Sequence, residues 1–427
     1  MATTVVLIFV FLAVFLILSV PIGVAIGLSV LVGMFAGNMP SAFLIQKMIT
    51  ALDAFPLMAV PFFIMAGEIM QKGSMAQRLL ELSRCLVGHI TGGMAHISVL
   101  TAMFFGALSG SAPATVAAVG GIMIPSMKKE GYDLPYATAV NTSAGCLGVM
   151  IPPSVPLIIY GTTAGVSVGD LFIAGIVPGI FVGIFLMVTS YIIAKKRGYK
   201  GTGERSSVNE TLVALKNSIH ALLVPVIVLG GIYGGIMTPT EAGVVAVIYS
   251  FLVEGVLLRH LTWPQVWEIL RSTALTTATI FLVVATATAL GQILLFNNVP
   301  DMMVKLLVGI TDNPYLLIPI IIVFLIVMGT FMDALANILI LTPLLLPVVK
   351  HIGMDPVHFG IVMIVTVSMG FLTPPVGVNL FVGCGISKIS IERLSVAVLP
   401  FLGAMIIAVL FLVFVPQLSL GLLGLKG

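Results

Sequence analysis

The chain has 427 residues, of which 59% are hydrophobic and 8% are charged, and its formal net charge is +3. Soluble domains carry about 25% charged residues, so this composition excludes a soluble globular protein and predicts an all-α polytopic protein that spans a lipid bilayer. The basic residues are spread over loops rather than gathered on one face, which argues against nucleic acid as a partner.

Apolar runs long enough to cross a membrane, which takes about 20 residues, recur along the whole chain. They occupy residues 4–35, 50–67, 98–127, 134–165, 171–194, 219–237, 242–258, 272–296, 315–349, 356–386 and 394–416. The first run lacks the basic start of a signal peptide and is longer than one untilted span. We therefore expect it to stay in the membrane and to break near Pro21.

The hydrophilic stretch at the centre of the chain, residues 195–218, is rich in lysine and arginine. Because short basic loops stay on the inner side of the membrane, this segment is predicted to be a cytoplasmic linker. It separates a first predicted repeat, residues 1–194, from a second, residues 219–427.

A shift of 222 residues places the second half of the chain on the first. The shift pairs Pro125 with Pro347, Gly131 with Gly353, Gly148 with Gly370, Pro152 with Pro374, Pro153 with Pro375 and Pro178 with Pro400. Glycine and proline determine backbone shape, so these identities indicate an internal duplication of structure.

The charges of corresponding loops predict how the two repeats are oriented. The loop at 68–95 contains Lys72, Arg78 and Arg84, whereas its counterpart at 292–317 contains Lys305 as its sole basic residue. The positive-inside rule puts the first loop in the cytoplasm and the second outside. We therefore expect two inverted-topology repeats, an architecture of many secondary transporters.

Each predicted repeat contains a re-entrant helical hairpin followed by a discontinuous helix. The hairpins cover residues 96–127, with the tip "LSGSAPAT", and residues 318–349, with the tip "GTFMDALAN". The following segments, 134–165 and 356–386, are each interrupted by a Pro-Pro pair, which removes backbone donors and frees carbonyl oxygens. Inside a membrane such groups must line a cavity or coordinate a ligand, although a kink packed by neighbouring helices is an alternative.

Helix C-termini favour cations and helix N-termini favour anions, so the breaks predict a sodium ion beside an anionic substrate. The predicted sodium-site residues are Ser109, Gly110, Ser111, Asn141, Gly145 and Pro152 in the first half, and Asp333, Asn337, Gly370, Thr373 and Pro374 in the second. The predicted substrate-site residues are Ala112, Pro153, Ser154, Pro375 and Asn379.

Asp333 is the one charged residue between Tyr315 and Val349. A carboxylate at that depth is a candidate functional group, and the alternative is that backbone donors cap it and that it shapes the hairpin tip. Glu68 lies near the end of a span and is interpreted as an interfacial charge.

Catalytic interpretations find little support in the sequence. "GALSG" approaches an intramembrane serine protease motif but has Ala107 where glycine is needed, and nucleotide-binding and metal-binding motifs are missing. "TPTEAG" at 238–243 and "SVGD" at 167–170 have the pattern of helix N-caps. The sequence thus predicts no enzyme, and a transporter of this kind must draw its energy from an ion gradient.

Several motifs together resemble the large membrane subunit of tripartite ATP-independent periplasmic (TRAP) transporters, within the ion-transporter superfamily. They are "FGALSGSAPATVAAVGGIMIPSM", "MIPPSVPLIIYG", "GGIMTPTEAGVVAVIYS", "MDALANILILTPLLLPV" and "GFLTPPVGVNLFV". The resemblance implies a multi-pass protein of the bacterial inner membrane that imports organic anions with sodium by an elevator movement. Residues 96–178 and 318–400 would form the moving transport domain, and the other helices the scaffold.

The resemblance also implies two partners, a small four-helix membrane subunit on a separate chain and a soluble periplasmic substrate-binding protein. Substrates in the family include C4-dicarboxylates, sialic acid and other sugar acids, and the sequence does not choose among them. A stand-alone sodium/carboxylate symporter of the same superfamily and a channel are the alternatives.

Overall fold

A computed structural model of the chain describes residues 2–37, 39–201, 203, 205–311, 313–374 and 377–424, and these residues form helices without any strand. The first half contains α1 (Ala2–Ile17), α2 (Ile22–Ala36), α3 (Ser41–Leu52), α4 (Ala59–Lys72), α5 (Met75–Val87), α6 (Gly93–Ser109), α7 (Ala112–Thr115), α8 (Gly121–Lys129), α9 (Leu134–Gly145), α10 (Leu147–Met150), α11 (Val155–Ala164) and α12 (Val168–Arg197). The second half contains α13 (Val208–Tyr233), α14 (Pro239–Phe251), α15 (Trp263–Phe296), α16 (Val299–Ile310), α17 (Pro314–Phe331), α18 (Ala334–His351), α19 (Pro356–Gly370), α20 (Val378–Ser387), α21 (Ile391–Phe414) and α22 (Gln417–Leu420). The predicted all-α class is confirmed.

Membrane-spanning helices account for much of the chain. Six helices are long and apolar enough to cross a membrane, namely α12, α13, α14 with the π turn that follows it, α15, α18 and α21. Two bent pairs raise the number to eight: α3 with the segment Phe55–Lys72, bent by 56°, and Leu134–Met150 with α11, bent by 43°. The described residues thus form a polytopic membrane protein.

The first apolar run is a pair of antiparallel helices. α1 ends at Ile17 and α2 begins after Pro21, and Gly33 of α2 lies against Ile8 of α1. The predicted break near Pro21 is confirmed, because the fixed φ of proline suits the start of a new helix.

The central loop is shorter than the predicted linker 195–218. α12 continues to Arg197, and α13 begins at Val208. Ser207 starts α13 with a capping box, in which its hydroxyl accepts from the Glu210 backbone N–H at 3.2 Å and its own N–H donates to the Glu210 carboxylate at 2.8 Å. Hydropathy alone assigned this polar first part of α13 to the loop.

The two other helix starts that the sequence predicted are confirmed. Thr238 and Glu241 form a capping box at the start of α14, and the Ser167 hydroxyl accepts from the Asp170 N–H at the start of α12. Both motifs, "TPTEAG" and "SVGD", therefore act as helix caps, and we do not count them among the candidate functional residues.

Candidate functional site

A cavity of about 450 Å³ lies at four interruptions of the helices. Two are turns, between α6 and α7 and between α17 and α18, and two are breaks, between α10 and α11 and between α19 and α20. Its lining residues come from α4, α15 and the segments around the four interruptions, and they are Ile64, Gly67, Glu68, Gln71, Ser109, Gly110, Ser111, Ala112, Pro113, Ala114, Val149, Val155, Pro156, Thr276, Thr279, Ile280, Asp333, Ala334, Leu335, Phe371 and Val378. Five predicted site residues, Ser109, Gly110, Ser111, Ala112 and Asp333, thus line one cavity although they come from opposite halves of the chain.

The first turn joins α6 to α7 at Gly110. This residue adopts the left-handed conformation, with φ of +59°, and its N–H donates to the Gly106 carbonyl at 3.1 Å. The hydroxyls of Ser109 and Thr115 lie 2.9 Å apart, and the Thr115 hydroxyl donates to the Ser111 carbonyl at 2.8 Å. Hydroxyl and carbonyl oxygens are therefore concentrated at this turn.

The second turn joins α17 to α18 and carries the carboxylate. Asp333 is the N-cap of α18, and its Oδ1 accepts from the Ala336 N–H at 3.1 Å. The Asn337 amide donates to the Met332 carbonyl at 3.0 Å and to the Asp333 carbonyl at 2.9 Å. Asp333 therefore caps a helix, as the alternative interpretation expected, and it also lines the cavity. Its role as a cap does not exclude a role in the cavity.

Glycines let each turn approach the following broken segment. A methyl group on Gly106 would lie 3.0 Å from the Gly148 Cα, and a methyl group on Gly370 would collide with the backbone of Gly329. A methyl group on Gly110 would lie 3.2 Å from the Pro153 carbonyl oxygen. Sequence reasoning singled out Gly148 and Gly370 as paired positions but missed their partners Gly106 and Gly329, because the 222-residue shift pairs neither of these with a glycine.

Three of the predicted asparagines carry a buried side-chain oxygen without a hydrogen-bond partner among the described residues, namely Asn141, Asn337 and Asn379. An amide oxygen without such a partner is free to accept a hydrogen bond or to coordinate a cation. Asn337 belongs to the second turn and is therefore the one placed to add an oxygen ligand there.

Asn141 and Asn379 lie elsewhere than at the turns. The Asn141 amide donates to the Ala137 carbonyl at 2.8 Å and contacts the sulfur of Met127 on α8 at 3.4 Å. The Asn379 amide donates to the Thr142 carbonyl at 3.3 Å, across the two halves of the chain. None of the three asparagines is among the described residues that line the cavity.

The other predicted residues of the first half surround the break between α10 and α11. Gly145 faces the Ala112 carbonyl, which a methyl group on it would approach to 3.2 Å. Pro152 and Pro153 lie in the break itself, and the buried Ser154 hydroxyl donates to the Val149 carbonyl at 2.7 Å. These residues support the wall of the cavity, which Val149, Val155 and Pro156 reach.

In the second half, Thr373 and Pro374 lie in the break after α19, and the Thr373 hydroxyl donates to the Met369 carbonyl at 3.0 Å. Pro375 lies outside the described residues. The neighbours that reach the cavity are Phe371 and Val378.

Glu68, interpreted from the sequence as an interfacial charge, has a second position that the sequence did not predict. Glu68 lines the cavity, and its Oε1 accepts from the Ser272 hydroxyl of α15 at 2.9 Å. Ile64, Gly67, Glu68 and Gln71 follow one face of α4 at helical spacing. That spacing was the available signal, but hydropathy ended the span at residue 67.

The family match and the named sequence relatives point to one family. Residues 9–418 match the family described as "DctM: Tripartite ATP-independent periplasmic transporter, DctM component". A relative from Oleidesulfovibrio alaskensis, named isethionate TRAP transporter permease protein DctMQ, is 44% identical over 91% of this chain, which spans 61% of that protein.

Two further relatives match over nearly their whole length. The sialic acid TRAP transporter large permease protein SiaM of Vibrio cholerae is 39% identical over 88% of this chain and 88% of its own. The C4-dicarboxylate TRAP transporter large permease protein DctM of Pseudomonas aeruginosa is 36% identical over the same shares.

Solved structures show the fold alone. The YdaH transporter of Alcanivorax borkumensis superposes with a TM-score of 0.64 at 15% identity over 89% of both chains. The MtrF protein of Neisseria gonorrhoeae superposes with a TM-score of 0.50 at 14% identity over 87% of this chain and 83% of its own. The match to the family over residues 9–418 and the identity to its large permease proteins show that this chain belongs to the DctM component family of TRAP transporters.

Proposed function

We propose that this chain is the large membrane subunit of a sodium-driven transporter that imports a small organic anion through the described cavity. A periplasmic substrate-binding protein delivers the anion, and a small four-helix membrane subunit completes the complex in the bacterial inner membrane. Sodium ions are cargo in this proposal and move with the substrate.

The observation that carries this proposal is the convergence of four helix starts on one cavity. The first residues of the helices that begin at Ala112, Val155, Ala334 and Val378 all line it. The helix that begins at Ala112 runs on to Lys129 through a π turn, so each start belongs to a helix of ten residues or more. Helix N-termini present unpaired N–H groups and a partial positive charge, which suits an anion in a cavity whose described lining contains no basic side chain.

The oxygen-rich turns support sodium as the coupling ion. The Ser111 carbonyl and the Ser109 hydroxyl lie at the first turn, and the Asp333 carboxylate and the unpartnered Asn337 oxygen lie at the second. Two carboxylates, Glu68 and Asp333, line the cavity, so an organic anion needs a cation beside it to offset their repulsion.

The names of the relatives support a small organic anion as the substrate. The named substrates are isethionate, sialic acid and C4-dicarboxylates. A volume of about 450 Å³ lies within the 300–1,000 Å³ usual for small-molecule sites. We propose sialic acid or another sugar acid, or a C4-dicarboxylate, and the 44% identity to the isethionate permease adds a small sulfonate to the compounds to be tested.

Two inverted repeats and an elevator movement complete the proposal. The thiol of Cys146 lies 3.3 Å from the carbonyl of Ser368, and these residues are 222 positions apart. Such a contact between equivalent positions supports a pseudo-twofold axis between α19 and the junction of α9 with α10. The moving domain would comprise residues 96–178 and 318–400, and it meets the proposed scaffold where Gly67 of α4 packs on the backbone of Leu108 and Ser109.

Uptake into proteoliposomes tests this function. The chain is reconstituted with its small subunit and binding protein, and radiolabelled sialic acid, succinate and isethionate are supplied with an inward sodium gradient. We expect saturable uptake of one anion, and its loss when potassium replaces sodium or when the binding protein is left out.

The alternatives give different results in the same assay. A stand-alone symporter would keep sodium-dependent uptake without the binding protein. A channel would conduct downhill without saturation and without sodium. Uptake that depends neither on sodium nor on the binding protein would contradict the proposed function.

A further inference from the structure

A second cavity, of about 710 Å³, opens where α9, α12 and α21 meet. It lies beside the basic C-terminal end of α12, which the positive-inside rule places at the cytoplasmic surface. Its lining divides into a charged end, with Lys196, Arg197 and Arg393, and an apolar end, with Val396, Ala397 and Pro400. A site with this division fits a molecule that carries an anionic head and an apolar tail.

Arg197 is held in place at the charged end. Its guanidinium donates to the Asp133 carboxylate at 3.0 Å and lies over the Tyr136 ring, with 5.4 Å between Cζ and the ring centroid. The Tyr136 hydroxyl in turn donates to the Ser190 carbonyl at 3.2 Å. These contacts fix one cation against the wall of the cavity.

The other two cations have no fixed counter-ion. Among the described acidic residues, none lies within 4 Å of the ammonium of Lys196 or the guanidinium of Arg393. The remaining lining carboxylate, Glu392, lies in the first turn of α21. Lys196 and Arg393 are therefore available to an external anion.

The apolar end continues from the charged end along an exposed side of α21. Val396 is 67% exposed, and Ala397 and Pro400 follow it along the same helix. A free inorganic anion would leave this surface uncovered, whereas an acyl chain would bury it. Basic pockets between membrane helices on the cytoplasmic side are known to hold anionic lipid headgroups.

We propose that this cavity binds one anionic phospholipid of the cytoplasmic leaflet, with its phosphate at Lys196 and Arg393 and an acyl chain along Val396 and Ala397. The site is separate from the transport cavity, and the proposal does not depend on the identity of the transported substrate.

Native mass spectrometry of the detergent-solubilised full chain, titrated with phosphatidylglycerol, tests the proposal. We expect the double variant Lys196→Gln, Arg393→Gln to weaken the tightest binding step about 30-fold, from roughly 1 kcal/mol for each basic residue near a lipid surface. The matched control Lys128→Gln, Lys129→Gln removes two exposed basic residues outside the cavity and should change the same step less than twofold.

Two more measurements separate a lipid from a free anion. Ala397→Trp keeps every charge and fills the apolar end, so it should also abolish the tight step. Phosphatidylethanolamine should bind more weakly to the unmodified chain, and millimolar inorganic phosphate should not displace phosphatidylglycerol. An equal loss in the control pair, unaltered binding in Ala397→Trp, or displacement by phosphate would overturn the proposal.

Discussion

The two turns that meet in the 450 Å³ cavity have similar backbone bonding but different side chains. In the first turn the Thr115 hydroxyl bonds the Ser111 carbonyl, and in the second the Asn337 amide bonds the Asp333 carbonyl, each four residues back. A shift of 222 residues relates both members of these pairs. The first turn is lined by hydroxyls, whereas the second carries a carboxylate. The comparison teaches that the shape of a turn and its charge are set by different residues, so they can be changed separately.

The largest expected effect comes from breaking the shape of one turn. In Gly370→Ala the added methyl group collides with the backbone of Gly329, and overpacking of this kind costs about 1–3 kcal/mol. We expect loss of uptake and a lower unfolding temperature in detergent, measured by intrinsic fluorescence. The control is Gly403→Ala, because no atom lies within 4 Å of its added methyl group. If the two variants have equal unfolding temperatures, the close approach of Gly370 to Gly329 does not contribute to stability.

A large effect is also expected from removing the charge of the second turn. Asp333→Asn keeps the shape of the side chain but removes a charge whose attraction for a cation about 4 Å away is of the order of 4 kcal/mol near a protein surface. We expect the sodium concentration for half-maximal uptake to rise about tenfold or more.

Asp355→Asn is a matched control for Asp333→Asn. Asp355 caps α19 through the N–H groups of Val357 and His358, and it is not among the described residues that line the 450 Å³ cavity. If both variants keep the sodium dependence of the unmodified protein, Asp333 acts as a helix cap alone.

A smaller effect is expected from the hydroxyl of the first turn. Thr115→Val removes the hydroxyl that donates to the Ser111 carbonyl and lies 2.9 Å from the Ser109 hydroxyl. The lost hydrogen bond costs about 1 kcal/mol of stability at this turn. We expect a rise of up to about fivefold in the half-saturating sodium concentration. Thr115→Ser retains the hydroxyl and should restore the original value, and a Ser variant as impaired as the Val variant would point to packing instead.

The smallest effect on sodium is expected at the second carboxylate of the cavity. The Glu68 carboxylate accepts from the Ser272 hydroxyl of α15, and among the described residues no hydrogen bond joins it to either turn. Glu68→Gln should therefore change the half-saturating sodium concentration less than about twofold, because it disturbs no hydrogen bond of either turn. Sodium titration of uptake measures this. A shift as large as that of Asp333→Asn would place both carboxylates in one cation site.

Much of the fold could be predicted from local pattern. Apolar runs, Pro-Pro breaks and capping residues act over one or a few helical turns, so the all-α class, the break before Ile22 and the caps at Thr238 and Ser167 followed from the sequence. The turns at Gly110 and Asp333 were also expected where they lie, because glycine and an N-cap aspartate specify local backbone.

The tertiary structure decided which of these residues lie together in one cavity. Asn141 and Asn379 have the right chemistry, yet the packing of α9 against α8 and α20 turns them to other partners, and Glu68 enters the cavity through the face of α4 that packs on Ser109. The sequence by itself determined the breaks and the types of group they carry, because these depend on neighbouring residues. The cavity, its four converging helix starts and its second carboxylate depend on contacts between segments more than 200 residues apart, which local pattern does not encode.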